Sequence, residues 1–366
     1  MSTSAPDREA VLTALRSIID PDLRKDIVGL GFVKDLTVAP GAASFTIELT
    51  TPACPVKDQM RDQAVAAVKA LGIADVQVTM TARVRSVSAP EGRIPHPGVK
   101  NVIAVGAGKG GVGKTTVAVN LALALQRTGS RVGILDGDIY GPNVPMMMGL
   151  HATQLTTDGK NIVPAERYGV QVVSMSFLTQ DDAPIIWRGP MLQGAITQFF
   201  KDVAWLDLDY LIVDMPPGTG DVPLALSQTV PVVGAIVVTT PQQVSLSDSR
   251  RALRMYQKLN IDPMGVVENM SYFACTNCHH ESDIFGHGGG EGLAQEIGVP
   301  FLGRLPIYQA IREGSDAGVP IVVSEPQSAP ARAFTTLAER VAAQVSIAAH
   351  RVAEANKGKI PLIQVR

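Results

Sequence analysis

The chain has 366 residues, 46% of them hydrophobic, which is more than one average domain of roughly 100 to 200 residues and enough apolar material for two cores. Its 32 basic and 34 acidic side chains leave a net charge of -2, so no overall cationic field exists to hold nucleic acid or anionic lipid. Three cysteines cannot form a disulfide framework, no apolar run reaches the roughly 20 residues that span a bilayer, and Met1 to Asp20 lacks the basic start and apolar centre of a signal peptide, so the expectation is a cytoplasmic protein with no membrane and no nucleic-acid partner.

In chain order, Val11, Leu12, Leu15, Ile18 and Ile19 recur at helical spacing, and after the turn at Pro40-Gly41 the residues Phe45, Ile47 and Leu49 alternate with Thr46 and Glu48 as in a half-buried strand. A second helical pattern begins near Pro55, carries Val56, Met60, Val68 and Leu71 on one side and stops at Gly72; a short strand around Val76, Val78 and Met80 follows. The order helix, two strands, helix, strand predicts a small α+β domain over residues 1–89. Three prolines and two glycines between Ala89 and Lys100 then break both periodicities, which predicts a linker over 90–100.

Beyond the linker, short apolar runs recur at Val102 to Val105, Val132 to Leu135, Tyr210 to Val213, Ala235 to Val238, Gly265 to Val267 and Phe301 to Leu302. Helical patterns such as Thr115 to Thr128 and Val244 to Leu259 lie between them. Alternating strands and helices predict a doubly wound α/β domain with a mostly parallel sheet over 101–350. A final amphipathic helix from Arg332 to about Lys357, with Leu337, Val341 and Val345 inside, leads into a tail over 351–366.

Strand Val102-Ile103-Ala104-Val105 runs into Gly108-Lys109-Gly110-Gly111-Val112-Gly113-Lys114-Thr115-Thr116, and a helical pattern follows at once. This is a complete G-x-x-x-x-G-K-[ST] phosphate loop in its strand-loop-helix context. The glycines let backbone N–H groups and the helix N-terminus face the anion, Lys114 supplies a point charge, and Thr115 offers a hydroxyl to Mg²⁺. Lys109, directly after the first glycine, is not required by a plain phosphate loop; it is either a solvated lysine or the mark of a subclass.

Leu211-Ile212-Val213-Asp214 ends a buried-strand pattern in a carboxylate, where a sheet offers an oxygen ligand to the metal's water shell. Met215-Pro216-Pro217-Gly218-Thr219-Gly220-Asp221 follows, a mix of stiff and hinge residues suited to sensing nucleotide. A second acidic tip lies in Asp136-Gly137-Asp138-Ile139-Tyr140-Gly141-Pro142-Asn143. Either Asp136 or Asp138 is metal- or water-directed, or it caps the next segment. Asn269, after strand Val266-Val267-Glu268, carries an amide that can donate and accept at once, as a purine edge requires.

Cys275-Thr276-Asn277-Cys278 lies just past Asn269, followed by His279, His280 and His287-Gly288-Gly289-Gly290. Two thiolates two residues apart can reach one metal centre, and a 4Fe-4S cluster usually takes four thiolates, so two subunits would complete the set at a two-fold axis. Three readings compete: a cluster bridged between subunits, zinc on the same cysteines, and a redox or structural pair. The histidine spacing departs from the C-x2-C...H-x3-H finger pattern. Cys54, in Thr51-Pro52-Ala53-Cys54-Pro55, is expected near a helix N-terminus with Pro55 at the first helical position, which would favour thiolate; a small, half-buried turn residue is the alternative.

The loop Gly108 to Thr116 with its early lysine resembles the deviant phosphate loop (deviant Walker A) of ATPases that include nitrogenase iron protein, division-site and partitioning ATPases and iron-sulfur scaffold ATPases. Taken with Asp214 to Asp221 and Asn269 through Gly289, it closely resembles the Mrp/ApbC iron-sulfur cluster carrier ATPases over nearly the whole chain. Asp20-Pro21-Asp22 and the Cys54 segment resemble the small iron-sulfur assembly-type domain at the front of many such carriers.

That resemblance implies a homodimeric ATPase with ATP, Mg²⁺ and a 4Fe-4S cluster as its ligands, apo iron-sulfur proteins and assembly factors as its partners, Lys109 reaching the partner subunit's nucleotide, Asp138 orienting the attacking water, Asp136 near the metal with Thr115 and Asp214, and Asn269 on adenine. A partitioning or positioning ATPase switch with a structural zinc or cysteine pair is the alternative. It predicts basic surface patches or a membrane-binding helix, neither evident in the sequence. An electron-transfer reductase ranks lower, because its cluster cysteines sit singly and far apart.

Overall fold

The computed structural model describes residues 7–87, 95–138, 141–151, 153–178, 194, 198, 200–220, 231–275, 277, 278 and 280–356. Of the segments singled out above, residues 1–6, 88–94, Ile139, Tyr140, Asp221, Thr276, His279 and residues 357–366 lie outside these. The chain divides into two compact units, Met1–Arg85 with Ala342–Arg366, and Ser86–Val341.

In the first unit the helices Arg8–Leu15 and Lys57–Lys69 flank strands β1 (Val33–Ala39), β2 (Ala42–Leu49) and β3 (Asp75–Ala82), in the order helix, two strands, helix, strand. Strand β2 pairs antiparallel with β1 and parallel with β3. The parallel pair requires a crossover, which the second helix supplies. Phe45, Ile47 and Leu49 are buried with Leu15, Phe32, Met60 and Val68, as the alternation predicted.

The first helix is shorter than its apolar pattern. It stops at Leu15, and Ile19, expected inside, is 53% exposed and pairs with Asp26 in an isolated bridge. The turn at Asp20-Pro21 explains the stop: the Asp20 side chain accepts from the N–H groups of Asp22 and Leu23, giving the backbone a local alternative to helix. The second helix starts at Lys57 with Val56 at its N-cap, so Pro55 precedes the helix and does not open it.

The closing helix spans Ala329–Ala355, and its turns from Ala342 onward belong to the first unit, where Val345 is buried and Lys25 Nζ lies 3.1 Å from His350 Nε2. The unbroken helical pattern assigns residues up to 350 to the α/β domain, and the grouping of Ala342 onward with the first unit follows from contacts that periodicity does not carry. No helix among the described residues is long and apolar enough to cross a membrane.

The second unit is built on an eight-stranded sheet. Its strands are β4 (Val102–Ala107), β5 (Val132–Asp136), β8 (Ala165–Arg167), β9 (Val170–Ser174), β10 (Tyr210–Asp214), β11 (Val232–Thr239), β12 (Pro263–Glu268) and β15 (Phe301–Arg304), with two-stranded pairs β6 (Thr156–Thr157) and β7 (Ile162–Val163), and β13 (Phe273–Ala274) and β14 (Glu281–Ser282), outside it. The order is β15-β12-β11-β4-β10-β5-β9-β8, and every pair is parallel except β8 with β9.

Strands β4, β5, β10 and β12 are buried along their whole length, the signature of a sheet covered on both faces, with helices Lys114–Arg127, Gln243–Lys258 and Gly289–Ile297 packed against it. Register sets the chemistry: Asp214 pairs with Asp136 on one side and with Val105 on the other, so both acids end their strands at the level where β4 turns into the phosphate loop.

Candidate nucleotide site and cysteine hairpin

The phosphate loop leaves β4 and closes on helix Lys114–Arg127, with Gly111 at φ +80° and Gly113 at φ +79° in the left-handed region that glycine tolerates. Gly113 also admits a neighbour: a Cβ there would lie 2.2 Å from Asn269 Nδ2. No side chain caps the helix, so its first N–H groups face a cleft of about 220 Å³ that is lined by Lys109, Gly110, Gly111, Gly113, Lys114, Thr115, Thr116 and Asp138. Gly108 lies at the loop's root, where a Cβ would strike the Asp248 backbone at 2.2 Å, and Val112 is buried beneath the loop.

Lys114 is buried and makes the central contact. Its Nζ lies 2.7 Å from Asp214 Oδ1 and 3.5 Å from Asp138 Oδ2, and Thr115 Oγ1 donates to Asp214 Oδ2 at 2.7 Å. Burial holds the Asp214 carboxyl above the ordinary carboxylate range, and the Lys114 charge works against that rise. Asp136 is fully buried and accepts from Asp138 N–H at 3.2 Å, Val144 N–H at 3.3 Å and Ser174 Oγ at 3.0 Å. Burial first, then the neighbouring Asp214 charge, pushes its carboxyl up to about 8.

Site geometry therefore separates the two acids of the second tip. Asp138 faces Lys114 across the cleft, whereas Asp136 sits below it and braces the turn into helix Val144–Met147. Asn269 is buried behind the phosphate loop, donating from Nδ2 to the Val112 carbonyl at 2.8 Å. No motif marks Ser174, whose strand lies beside β5, and Glu268, a fully buried acid, ends the run Val266-Val267-Glu268 as a third strand-tip carboxylate.

Cys275 and Cys278 lie in the turn between β13 and β14, which pair antiparallel, and Cys275 N–H donates to the His280 carbonyl at 3.0 Å. Cys275 is half-buried and Cys278 exposed, and neither forms a disulfide. The backbone N–H groups of Cys278 and Asn277, with the Cys278 thiol, hold the Cys275 thiol below the ordinary range. His287 Nδ1 is 3.3 Å from Asp283, and among the described residues no group of three or more His, Cys, Asp or Glu side chains could hold a metal within one chain. Cys54 is half-buried against the core of the first unit, three residues before the helix that starts at Lys57.

Fold and site together define a P-loop NTPase. Residues 98–342 match the model of the NUBPL iron-transfer P-loop NTPases, and residues 8–80 match that of an iron-sulfur cluster assembly protein. An iron-sulfur cluster carrier protein of Synechocystis sp. is 50% identical over 347 residues, 93% of this chain and 98% of its own, and one of Deinococcus radiodurans is 46% identical over 93% of this chain and 96% of its own.

Among solved structures, a nucleotide-binding protein from Archaeoglobus fulgidus in complex with ADP shares 36% identity at a TM-score of 0.55, over 63% of this chain and 90% of its own. A septum site-determining protein from Pyrococcus horikoshii, complexed with Mg-ADP, shares the fold at 24% identity and a TM-score of 0.51, over 68% of this chain and 98% of its own. The chain belongs to the iron-sulfur cluster carrier family of iron-transfer P-loop NTPases.

Proposed function

We propose that this chain binds and hydrolyses ATP with Mg²⁺ and carries a 4Fe-4S cluster, held by Cys275 and Cys278 of two copies, to apo-proteins. The observation that carries the reading is the hairpin itself. It sets two thiols in one turn, with backbone N–H groups that stabilise thiolate at Cys275, and it lies just past the residue whose amide holds the phosphate loop. Two thiols per chain fill half of a four-thiolate set, and a symmetric pair of chains fills the rest.

In the nucleotide site, Lys114 and the first N–H groups of its helix bind the phosphates. The Thr115 hydroxyl and the Asp214 carboxylate, already 2.7 Å apart, supply the hard oxygen donors that Mg²⁺ prefers, and Asp136 braces the turn beneath them. The cation, when bound, neutralises charge on the phosphates. Asp138, facing Lys114, orients the attacking water, and Lys109 at the rim of the cleft reaches the nucleotide of the partner copy. Asn269 meets the base with its carbonyl oxygen or its second amide hydrogen, the first being held by Val112.

The test is anaerobic reconstitution with iron and sulfide of the native protein beside a Cys275→Ala/Cys278→Ala variant, with iron, sulfide and zinc counted. The reading expects about four irons and four sulfides per dimer in the native protein and none in the variant. Uptake of zinc alone, or equal iron in both, refutes it.

A further inference from the structure

The cysteine hairpin is an excursion between β12 and the helix Gly289–Ile297, and both ends of that excursion meet one side chain. Glu268, the last residue of β12, is fully buried. Its Oε1 accepts from Ser271 Oγ at 2.6 Å, where the excursion begins, and its Oε2 accepts from Gly290 N–H at 2.5 Å, where it ends. The helix has Gly288 at its N-cap and no side-chain cap of its own, so Glu268 Oε2 supplies an acceptor to its first turn. Contact is tight at that point: a Cβ on Gly290 would lie 2.9 Å from Glu268 Cβ.

The residue next to Glu268 faces the other way. Asn269 donates to the Val112 carbonyl inside the phosphate loop, and its own N–H is fixed to the Thr239 carbonyl at 2.8 Å. Met270 then takes φ +53°, a left-handed conformation that strains a non-glycine residue and that turns the chain from the buried strand into the excursion. Ser271 N–H and the Tyr272 carbonyl are tied to Leu305 and Ile307, so the start of the excursion is held by main-chain bonds as well. Two adjacent residues therefore grip the phosphate loop with one side chain and both feet of the cysteine hairpin with the other.

We propose that Glu268 is a positioning residue that closes the base of the cysteine hairpin and, through Asn269, transmits occupancy of the phosphate loop to Cys275 and Cys278. The inference rests on the carrier reading for its meaning, but its mechanics need no cluster. A nucleotide that shifts the Val112 carbonyl pulls on Asn269, and the Glu268 clamp passes the shift to the hairpin as one rigid step. Without the clamp the two feet part and the hairpin moves independently of the loop.

The test measures site-resolved alkylation rates of Cys275 and Cys278 in the full-length apoprotein, read by peptide mass spectrometry, with and without saturating MgADP. The native protein is expected to change its rate about fivefold or more on MgADP, the low end of ordinary coupling. Glu268→Ala is expected to reduce that change to less than about twofold while MgADP still binds, and Glu268→Gln, which keeps an acceptor for Gly290 N–H and can donate to Ser271 Oγ, is expected to restore it.

If Glu268→Ala does not melt cooperatively, Ser271→Ala decides, because it removes one donor and leaves the carboxylate in place; a response at least halved supports the clamp. A native protein whose thiols ignore MgADP overturns the proposal, as does a folded Glu268→Ala or Ser271→Ala variant that responds as the native protein does. Failure to bind iron and sulfide refutes the carrier reading instead, and leaves these rates to judge the clamp.

Discussion

Replacing Asp136 by Asn tests the electrostatics of the site through stability. Burial and the Asp214 charge push the Asp136 carboxyl from the ordinary 3.8 up to about 8 in the folded chain. Between those values the folded state binds one proton more than the unfolded state, so the contribution of Asp136 to stability falls as pH rises, by about 1.4 kcal/mol per pH unit, and levels off above the folded value. Asparagine does not titrate. Its one oxygen can keep either the Asp138 N–H, which meets Oδ1, or the Val144 N–H and the Ser174 hydroxyl, which meet Oδ2, so it gives up a contact at every pH and that loss drops out of the pH dependence.

In buffer free of nucleotide and metal, the melting temperature of Asp136→Asn should therefore gain on the native protein from pH 6 to pH 8 by up to about 3 kcal/mol, or roughly 5 to 10 °C for a unit of this size, and the gap should stop widening beyond pH 9. Differential scanning fluorimetry of the two proteins at each pH reads this directly, because titrating groups remote from Asp136 cancel in the difference, and Asp214 is the one neighbour whose titration changes with it. A gap that stays constant or narrows from pH 6 to 8 refutes the reasoning.

Lys114→Ala should lower ATP hydrolysis by at least about 100-fold in a phosphate-release assay, since it removes the cation that faces both Asp214 and Asp138. Gly113→Ala should weaken MgADP binding by about tenfold or more in calorimetry, because it forces φ +79° on a residue with a Cβ and drives that Cβ against Asn269 Nδ2. Cys275, held toward thiolate by the N–H groups of Cys278 and Asn277, should show an iodoacetamide pH–rate midpoint below the ordinary thiol value of 9.0; a midpoint at or above that value refutes the hairpin geometry.

The parts legible in the sequence were those that a local pattern carries. The phosphate loop announces itself in nine consecutive residues, and the buried strands read as continuous apolar runs because both faces of the sheet are covered. Asp214 stands out because it ends such a run, whereas Asp138, two residues past the Asp136 that ends another, is distinguished from Asp136 only by the family resemblance. What stayed hidden depends on partners far along the chain. Nothing near Asp136 in sequence marks Ser174, 38 residues on, as its hydrogen-bond donor. Asn269 reads as a base contact when taken alone, and its bond to Val112 spans 157 residues. Val345 belongs to an unbroken helical pattern, yet the last turns of that helix join the first unit, a division that periodicity does not encode. The exposed Ile19 shows the converse, a local apolar pattern overruled by a two-residue turn.

The direct pairing of Asp214 with Asp136 has one further consequence. Neighbouring strands hold their partners at a spacing set by main-chain hydrogen bonds, so these two acids cannot drift apart without opening the ladder, and Asp136 relieves the repulsion by keeping its proton up to about pH 8. A cation brought to that seam lowers the cost of ionising Asp136 and so stabilises the folded α/β unit. Resistance to unfolding then rises with the concentration of any such cation, by mass action.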